Sequence, residues 1–224
     1  MINFFQKDFV LESKRLILRS LKSSDRSFIK ELYNPSNVTY LHNRIKSAEY
    51  REKYVDLSKY LRERKTRLDL VLVDKKTDKQ IGLKQLNFYC QVKSLGLWRG
   101  YEIQYDGFVY TTSIVDSNYR NKGYMTEATS VLMSHLFKNK VRAVVCDIDS
   151  RNTASIAYHA RLGFAKVSLE QFNGLDTLSG DITHGNSLEE RYVYVNESNY
   201  KNLSAEDLLV KVKDYPMGPP PISM

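Results

Sequence analysis

Cysteine is scarce in this chain. Only Cys90 and Cys146 occur among its 224 residues, each inside an apolar, strand-like run. Neither has a second Cys or a His at metal-ligand spacing, so they read as buried, reduced thiols rather than a disulfide framework or a metal centre. Histidine is equally thin: His42, His135, His159 and His184 are scattered and form no H-x-x-x-H pair. No metal is expected. No run approaches the ~18 consecutive apolar residues of a membrane span. Residues 1–10 carry Lys7 and Asp8 in their middle where a signal peptide would be apolar. No internal repeat or low-complexity linker breaks residues 10–195. The expectation is a cytoplasmic protein with no membrane partner.

What is present reads as an ordinary globular protein, with 42% hydrophobic and 27% charged residues. A chain of this size can bury a core that needs no cross-link. The expected organisation is one domain over 1–196 and an extension over 197–224. Lys and Arg number 34 against 26 Asp and Glu, a net charge of +8. That balance favours anionic partners. The basic residues are spread along the chain, with only a modest run at Arg62 to Arg67, and no nucleic-acid motif accompanies them. Nucleic acid is therefore disfavoured as a partner.

The pattern of elements is an alternation of strands and helices. Arg15 to Arg19 reads as a short strand. Ser24 and Asp25 offer N-caps for a helix running to about Tyr33, where Asn34-Pro35 stops it. Ser47 precedes a second helix with Tyr50, Tyr54, Leu57 and Leu61 along one face. Leu68–Val73 and Gln80–Phe88, joined through Asp74 to Asp78, predict a hairpin. Gly96, Gly100 and Asp106-Gly107 mark turns in a less legible stretch over 89–107. Phe108–Val115 is the clearest strand, rich in Tyr, Thr, Val and Ile. A loop over 116–124 leads to a helix from Met125 to Phe137, then a buried strand over Val141–Asp149. Asn152 caps a helix ending at Leu162, with Gly163 and Phe164 completing a left-handed stop. Strands near 165–170 and 190–195 flank an insertion at 173–187. In the tail, Ser204 and Asp207 resemble a capping box, and Pro216 to Pro221 excludes regular structure beyond it. The fold class is α/β with a mixed sheet.

Two segments carry chemistry. Tyr119-Arg120-Asn121-Lys122-Gly123-Tyr124-Met125 lies between a strand and an amphipathic helix, where backbone N–H groups make an anion site. Arg120 and Lys122 add charge, Gly123 permits close approach, and Asn121 tolerates positive φ. Alone, this loop reads equally well as a solvated basic turn. The second segment is Asn152-Thr153-Ala154-Ser155-Ile156-Ala157-Tyr158-His159-Ala160-Arg161-Leu162-Gly163-Phe164.

Together the segments resemble the two signature blocks of the GNAT superfamily of acetyl-CoA-dependent N-acetyltransferases. The first is similar to its R/Q-x-x-G-x-G/A loop and the second to its N-x-x-S…L-G-F helix. Glu12 to Arg19 with Ser24-Asp25 resembles the opening of the branch containing ribosomal-protein N-acetyltransferases. The resemblance implies a GNAT-like, mostly antiparallel sheet splayed at its centre between Phe108–Val115 and Val141–Asp149. It implies CoA in that gap: Ile114 and Val115 pairing with the pantetheine, the N–H groups of Arg120 through Met125 holding the pyrophosphate, and Asn152 and Ser155 reaching it from the other side.

It also implies acetyl transfer to a primary amine, on a protein N-terminus or a small molecule. His159 stands where many relatives place a tyrosine acid, with Tyr158 beside it. Either could serve in proton transfer or simply pack. No carboxylate occupies Val109 to Ser113, so Glu102, with Asp106, is the candidate base. The acceptor side would be lined by 89–107, with Tyr89, Trp98, Tyr101 and Tyr105, and by 173–187. Glu102, Asp106, Asp176 and Asp181 are its only acids, which disfavours a polycationic acceptor of the aminoglycoside kind. Met125 stands where the loop motif usually closes on a small residue. With the unplaced base it leaves a non-catalytic CoA-binding module as the alternative. Monomer and homodimer both remain open.

Overall fold

Period-two apolar patterning in the first half of the chain builds one large sheet, described by a computed structural model over residues 4–41, 47–94, 101–141, 143–167 and 189–195. The strands are β1 (Val10–Glu12), β2 (Leu16–Ser20), β3 (Arg67–Asp74), β4 (Lys79–Ser94), β5 (Tyr101–Val115), β6 (Ala143–Asp149), β7 (Ala165–Val167) and β8 (Glu189–Val195). They lie in the order β1-β2-β3-β4-β5-β6-β8-β7. All neighbours are antiparallel except β5 and β6. The helices are α1 (Arg26–Leu32), α2 (Ala48–Glu63), α3 (Tyr124–Lys138) and α4 (Thr153–Arg161). Among the described residues, no helix is long and apolar enough to cross a membrane and no His, Cys, Asp and Glu cluster could hold a metal. The expected insertion at 173–187 and the tail beyond Asn196, with its capping box, lie outside the described residues.

The expected elements are present, with two corrections. The strand β1, three residues long, goes beyond the elements the sequence pattern predicts. It adds to the sheet edge through Val10↔Arg19 and Glu12↔Ile17. Asp106-Gly107 is not a turn: it lies inside β5, which starts at Tyr101. Between the pairs Phe88↔Val109 and Cys90↔Tyr105, β5 takes four steps while β4 takes two. The turn-forming residues serve as a bulge, where Gly and Asp are at home within a ladder.

Each face of the sheet has its own core. Leu16, Leu18, Leu68, Leu70 and Leu72 join Ala128, Leu132 and Leu136 of α3 and Val144, Cys146 and Ile148 of β6 in one cluster. Val71, Val73, Leu83 and Ile114 join Ile29, Leu32, Tyr33 and Tyr54 of α1 and α2 in the other. Each fully buried Leu or Ile contributes about 1.5–3 kcal/mol, so both faces are strongly held. Gly82 lies opposite Val115, and a Cβ there would stand 2.7 Å from the Ile114 carbonyl oxygen.

The opening motif has a structural reason. Asp25, buried at the start of α1, accepts both Arg19 guanidinium nitrogens at 2.8 Å and the Lys22 N–H at 2.8 Å. Burial alone would raise its pKa, but these bonds outweigh it and hold the carboxyl below its usual range.

Candidate active site

The strands β5 and β6 run side by side for three residue pairs only: Phe108↔Ala143, Val109↔Val144 and Tyr110↔Val145. Beyond them β5 stays paired with β4 through Val115, and β6 stays paired with β8 through Asp149. The sheet therefore opens into a V with Tyr110 and Val145 at its apex. Along one arm, Thr111 to Val115 has no strand partner on the β6 side among the described residues, so its outward backbone groups can pair with an extended ligand.

The open arm leads into the predicted loop. A 3-10 turn over Ser117–Tyr119, capped by the Asp116 side chain, brings the chain to Arg120. Asn121 then takes φ 59° and Gly123 φ 76°, two left-handed steps that redirect the chain into α3. The start of α3, which the β5 arm leads into, has no side chain capping it at Gly123, an arrangement that suits a phosphate. The Met125 side chain packs against the core, leaving its backbone at that helix start.

The charged residues of the loop serve partly as its scaffold. The Arg120 guanidinium donates to the Ser36 carbonyl at 3.0 Å and to Asn37 Oδ1 at 2.9 Å. Lys122 donates to the Asn118 carbonyl at 2.7 Å. Arg15 and Glu127, to which the sequence pattern assigns no role, lock the loop to the sheet edge. Arg15 Nε donates to Glu127 Oε2 at 2.6 Å, its Nη1 reaches the Lys122 carbonyl at 2.9 Å, and its guanidinium stacks on Tyr124. Ser13 Oγ and the Arg15 N–H reach Glu127 Oε1 at 2.7 Å each. Carboxylates in the first turn of a helix and the opening Ser-x-Arg were the available signals.

The second arm presents α4. Asn152 caps it by accepting from the Ser155 N–H at 3.1 Å, and the Phe164 N–H closes its end on the His159 carbonyl at 3.1 Å, with Gly163 at φ 81°. His159 is buried, its Nδ1 lies 2.8 Å from the Ser155 carbonyl, and Phe164 meets its ring edge-on. That contact makes Nδ1 the protonated nitrogen. Burial and then nearby Lys84 push its pKa down to about 4, so the imidazole is neutral at physiological pH. Tyr158, half-buried, points its hydroxyl at Thr129 Oγ1 and, at 3.5 Å, at the Met125 carbonyl. Burial pushes its pKa well up. Glu102 lies in β5 opposite Lys93, and its side chain falls outside those described.

One residue at this site is missed by sequence reasoning. Lys84 is 1% exposed and lies between Leu70 of β3 and Ser113 of β5, on the face covered by α3 and α4. Its Nζ donates to Ser113 Oγ at 2.7 Å. Burial lowers its pKa to about 8, with Cys146 near enough to act in the opposite sense. The signal was there: Gly82, Lys84 and Leu86 share one face of a strand that is buried on both sides. Next to it, the buried hydroxyl of Thr111 has no hydrogen-bond partner among the described residues. Such a group costs about 1–3 kcal/mol unless something arrives to pair with it.

A parted sheet with an uncapped helix at its mouth and an unsatisfied hydroxyl at its apex fits the pantetheine and diphosphate of an acyl-CoA. Fold and site together define an acetyl-CoA-dependent N-acetyltransferase. The chain belongs to the GNAT acetyltransferase family, since the model of the acetyltransferase (GNAT) domain matches residues 15–165. Among curated proteins none matches by sequence.

Solved structures share the fold at low identity. The ribosomal-protein-S5-alanine acetyltransferase from Vibrio fischeri is 18% identical, with a TM-score of 0.58 over 85% of this chain and 98% of that one. The enzyme from Salmonella typhimurium that modifies the N-terminal serine of ribosomal protein L7/L12 is 16% identical, with a TM-score of 0.61 over 84% and 100%. Spermidine N-acetyltransferase from Vibrio cholerae, with CoA and spermine, is also 16% identical, with a TM-score of 0.61 over 85% and 100%.

Proposed function

We propose that this protein transfers the acetyl group of acetyl-CoA to a primary amine by direct attack, with a protein N-terminus as the favoured acceptor class. The observation that carries the reading is the V between β5 and β6, whose free edge runs straight into the uncapped start of α3. In this reading the Ile114 and Val115 backbone pairs with the pantetheine. The N–H groups from Asn121 through Met125 hold the diphosphate, since the Arg120 N–H donates to the Ser117 carbonyl at 3.3 Å. Asn152 and Ser155 stand on the opposite wall.

Catalysis then rests mainly on position. A bound amine held against the thioester gains the advantage of an intramolecular reaction, and β5 N–H groups near the bulge stabilise negative charge on the carbonyl oxygen. His159, neutral and with Nε2 as its basic nitrogen, suits proton acceptance or relay better than proton donation. The N-terminal acceptor is favoured by the two ribosomal-protein acetyltransferases among the structures of like fold, one of which modifies an N-terminal serine. The few acids in the sequence on the acceptor side argue against a polyamine. In this reading the enzyme works in the cytoplasm.

The experiment is a thermal melt with acetyl-CoA followed by acetyl transfer to two sets of acceptors, short peptides with free N-termini and polyamines. Acetyl-CoA at 100 times its dissociation constant should stabilise the fold by about 2.7 kcal/mol. Peptide acetylation at the α-amine supports the proposal. Preferential polyamine turnover would move the acceptor class. No thermal shift at millimolar acetyl-CoA would overturn the reading.

A further inference from the structure

A buried ammonium with no carboxylate beside it requires an explanation, and Lys84 is such a group. Taking a charge out of water costs several kcal/mol unless it is paired. Among the described residues the only hydrogen-bond acceptor of Lys84 is the Ser113 hydroxyl. The elements packed around it present Cys146 from β6, Tyr158 and His159 from α4 and Thr129 from α3. None of these is a carboxylate, and only the Cys146 thiol acts to favour the ammonium.

Its location points to what would. Ser113 is half-buried and lies on the unpaired arm of β5, so it joins the buried ammonium to the wall of the V. Cys146 is one residue beyond Val145, the last β6 residue paired with β5, and its electrostatic influence on Lys84 sets the ammonium on the apex side of the sheet. The unpartnered Thr111 hydroxyl is on the same face at that level. From Val115 to Thr111 is four residues, roughly 13 Å of strand, comparable to a pantetheine arm. A pantetheine that starts at the α3 mouth therefore runs past Ser113, the hydrogen-bond partner of Lys84, toward Thr111.

We infer that Lys84 is a catalytic residue of this enzyme, the acid that protonates the sulfur leaving the acyl donor. This rests on the acetyl-CoA reading above. As the acceptor nitrogen bonds to the carbonyl carbon, the carbon–sulfur bond breaks and its electron pair goes to sulfur. Lys84 Nζ delivers a proton there, giving the free thiol. The acceptor nitrogen loses one proton to solvent, and the neutral Lys84 amine regains one from solvent through Ser113. Electrostatic matching supports the assignment. Lys84, at about 8, is close to the ~8.5 of a thiol. His159 holds no second proton at neutral pH and Tyr158 holds its proton too tightly.

The test needs no acceptor. The full chain is titrated with CoA and with desulfo-CoA, which lacks the sulfur, while thiolate absorbance and proton release are followed from pH 6 to 10. Subtracting the desulfo-CoA complex removes any signal from Cys146. An ammonium at the sulfur should lower the thiol pKa of bound CoA by at least one unit and make CoA bind roughly 10-fold tighter than desulfo-CoA near pH 8. Lys84→Met should bind both ligands equally and leave the bound thiol at or above its free value. In wild type, an unshifted thiol in bound CoA would overturn the inference and leave the acetyl-CoA reading intact. Failure of both ligands to bind would overturn that reading as well. The wild-type titration decides the matter even if Lys84→Met does not fold.

Discussion

The two faces of the sheet each bury a cation and treat it in opposite ways. On the face covered by α1 and α2, Arg67 is 3% exposed. Its Nε donates to Asp69 at 2.7 Å, its guanidinium lies over the Tyr54 ring, and the Tyr54 hydroxyl donates to the other Asp69 oxygen at 2.6 Å. Charge is met by charge. On the face covered by α3 and α4, Lys84 is as deeply buried, and among the described residues its hydrogen-bond partner is a hydroxyl. Arg67 has its countercharge within the fold. Among the described residues Lys84 has no carboxylate beside it, and it stands on the face where the sheet parts. The difference separates a structural charge from one held ready for an anion.

Removing Asp69 should break the contrast most severely. Asp69→Ala strands Arg67 without its partner and should cost about 3–5 kcal/mol in denaturant melts. A loss under about 1 kcal/mol would mean the two sites are not so different.

The next effect is one of pH. His159 has a folded pKa of about 4, against the ordinary 6.5 of a solvated histidine. Between those values the unfolded chain binds more protons, so stability falls as pH drops from 6.5 through 4. The loss should be on the order of 2–3 kcal/mol, and His159→Phe should flatten that part of the stability curve. An unchanged acid limb would place the titration elsewhere.

Gly123→Ala is expected to cost about 1–2 kcal/mol, because alanine resists the left-handed φ of 76°. It should weaken acetyl-CoA binding while sparing the Arg67 side of the sheet, as read by calorimetry and amide exchange.

The smallest change in stability belongs to Lys84→Met. The folded pKa of Lys84, about 8, lies below the ordinary lysine value of 10.5, so the fold gives up protons in that window and gains stability as pH rises. At pH 7 the charge is a burden. The melting temperature of Lys84→Met should be equal to or above wild type, while acetyl transfer falls steeply. A large drop in melting temperature would make Lys84 structural, like Arg67.

Much of this was legible in the sequence where local chemistry decides the outcome. Ser47 caps α2, Asn152 caps α4 and Gly163 ends it, as their side chains or lack of one dictate. The strand Phe108–Val115 and the loop after it were equally plain. Pairing over long sequence distances was not. Asp106-Gly107 reads as a turn because its preference is local, yet the partner strand β4 holds it in a bulge. Arg15 and Glu127 meet across 112 residues. Lys84 takes on a role only once Leu70 and Ser113 are known to flank it. The roles of Arg120 and Lys122 also look different in three dimensions, because their side chains brace the loop.

Amide hydrogen exchange with and without acetyl-CoA addresses the V most directly. Protection should rise along Thr111–Val115 and Asn121–Thr126 and stay unchanged in β2 and β3. Tight binding of acetyl-CoA with no added protection in those two segments would contradict a cofactor site in the V.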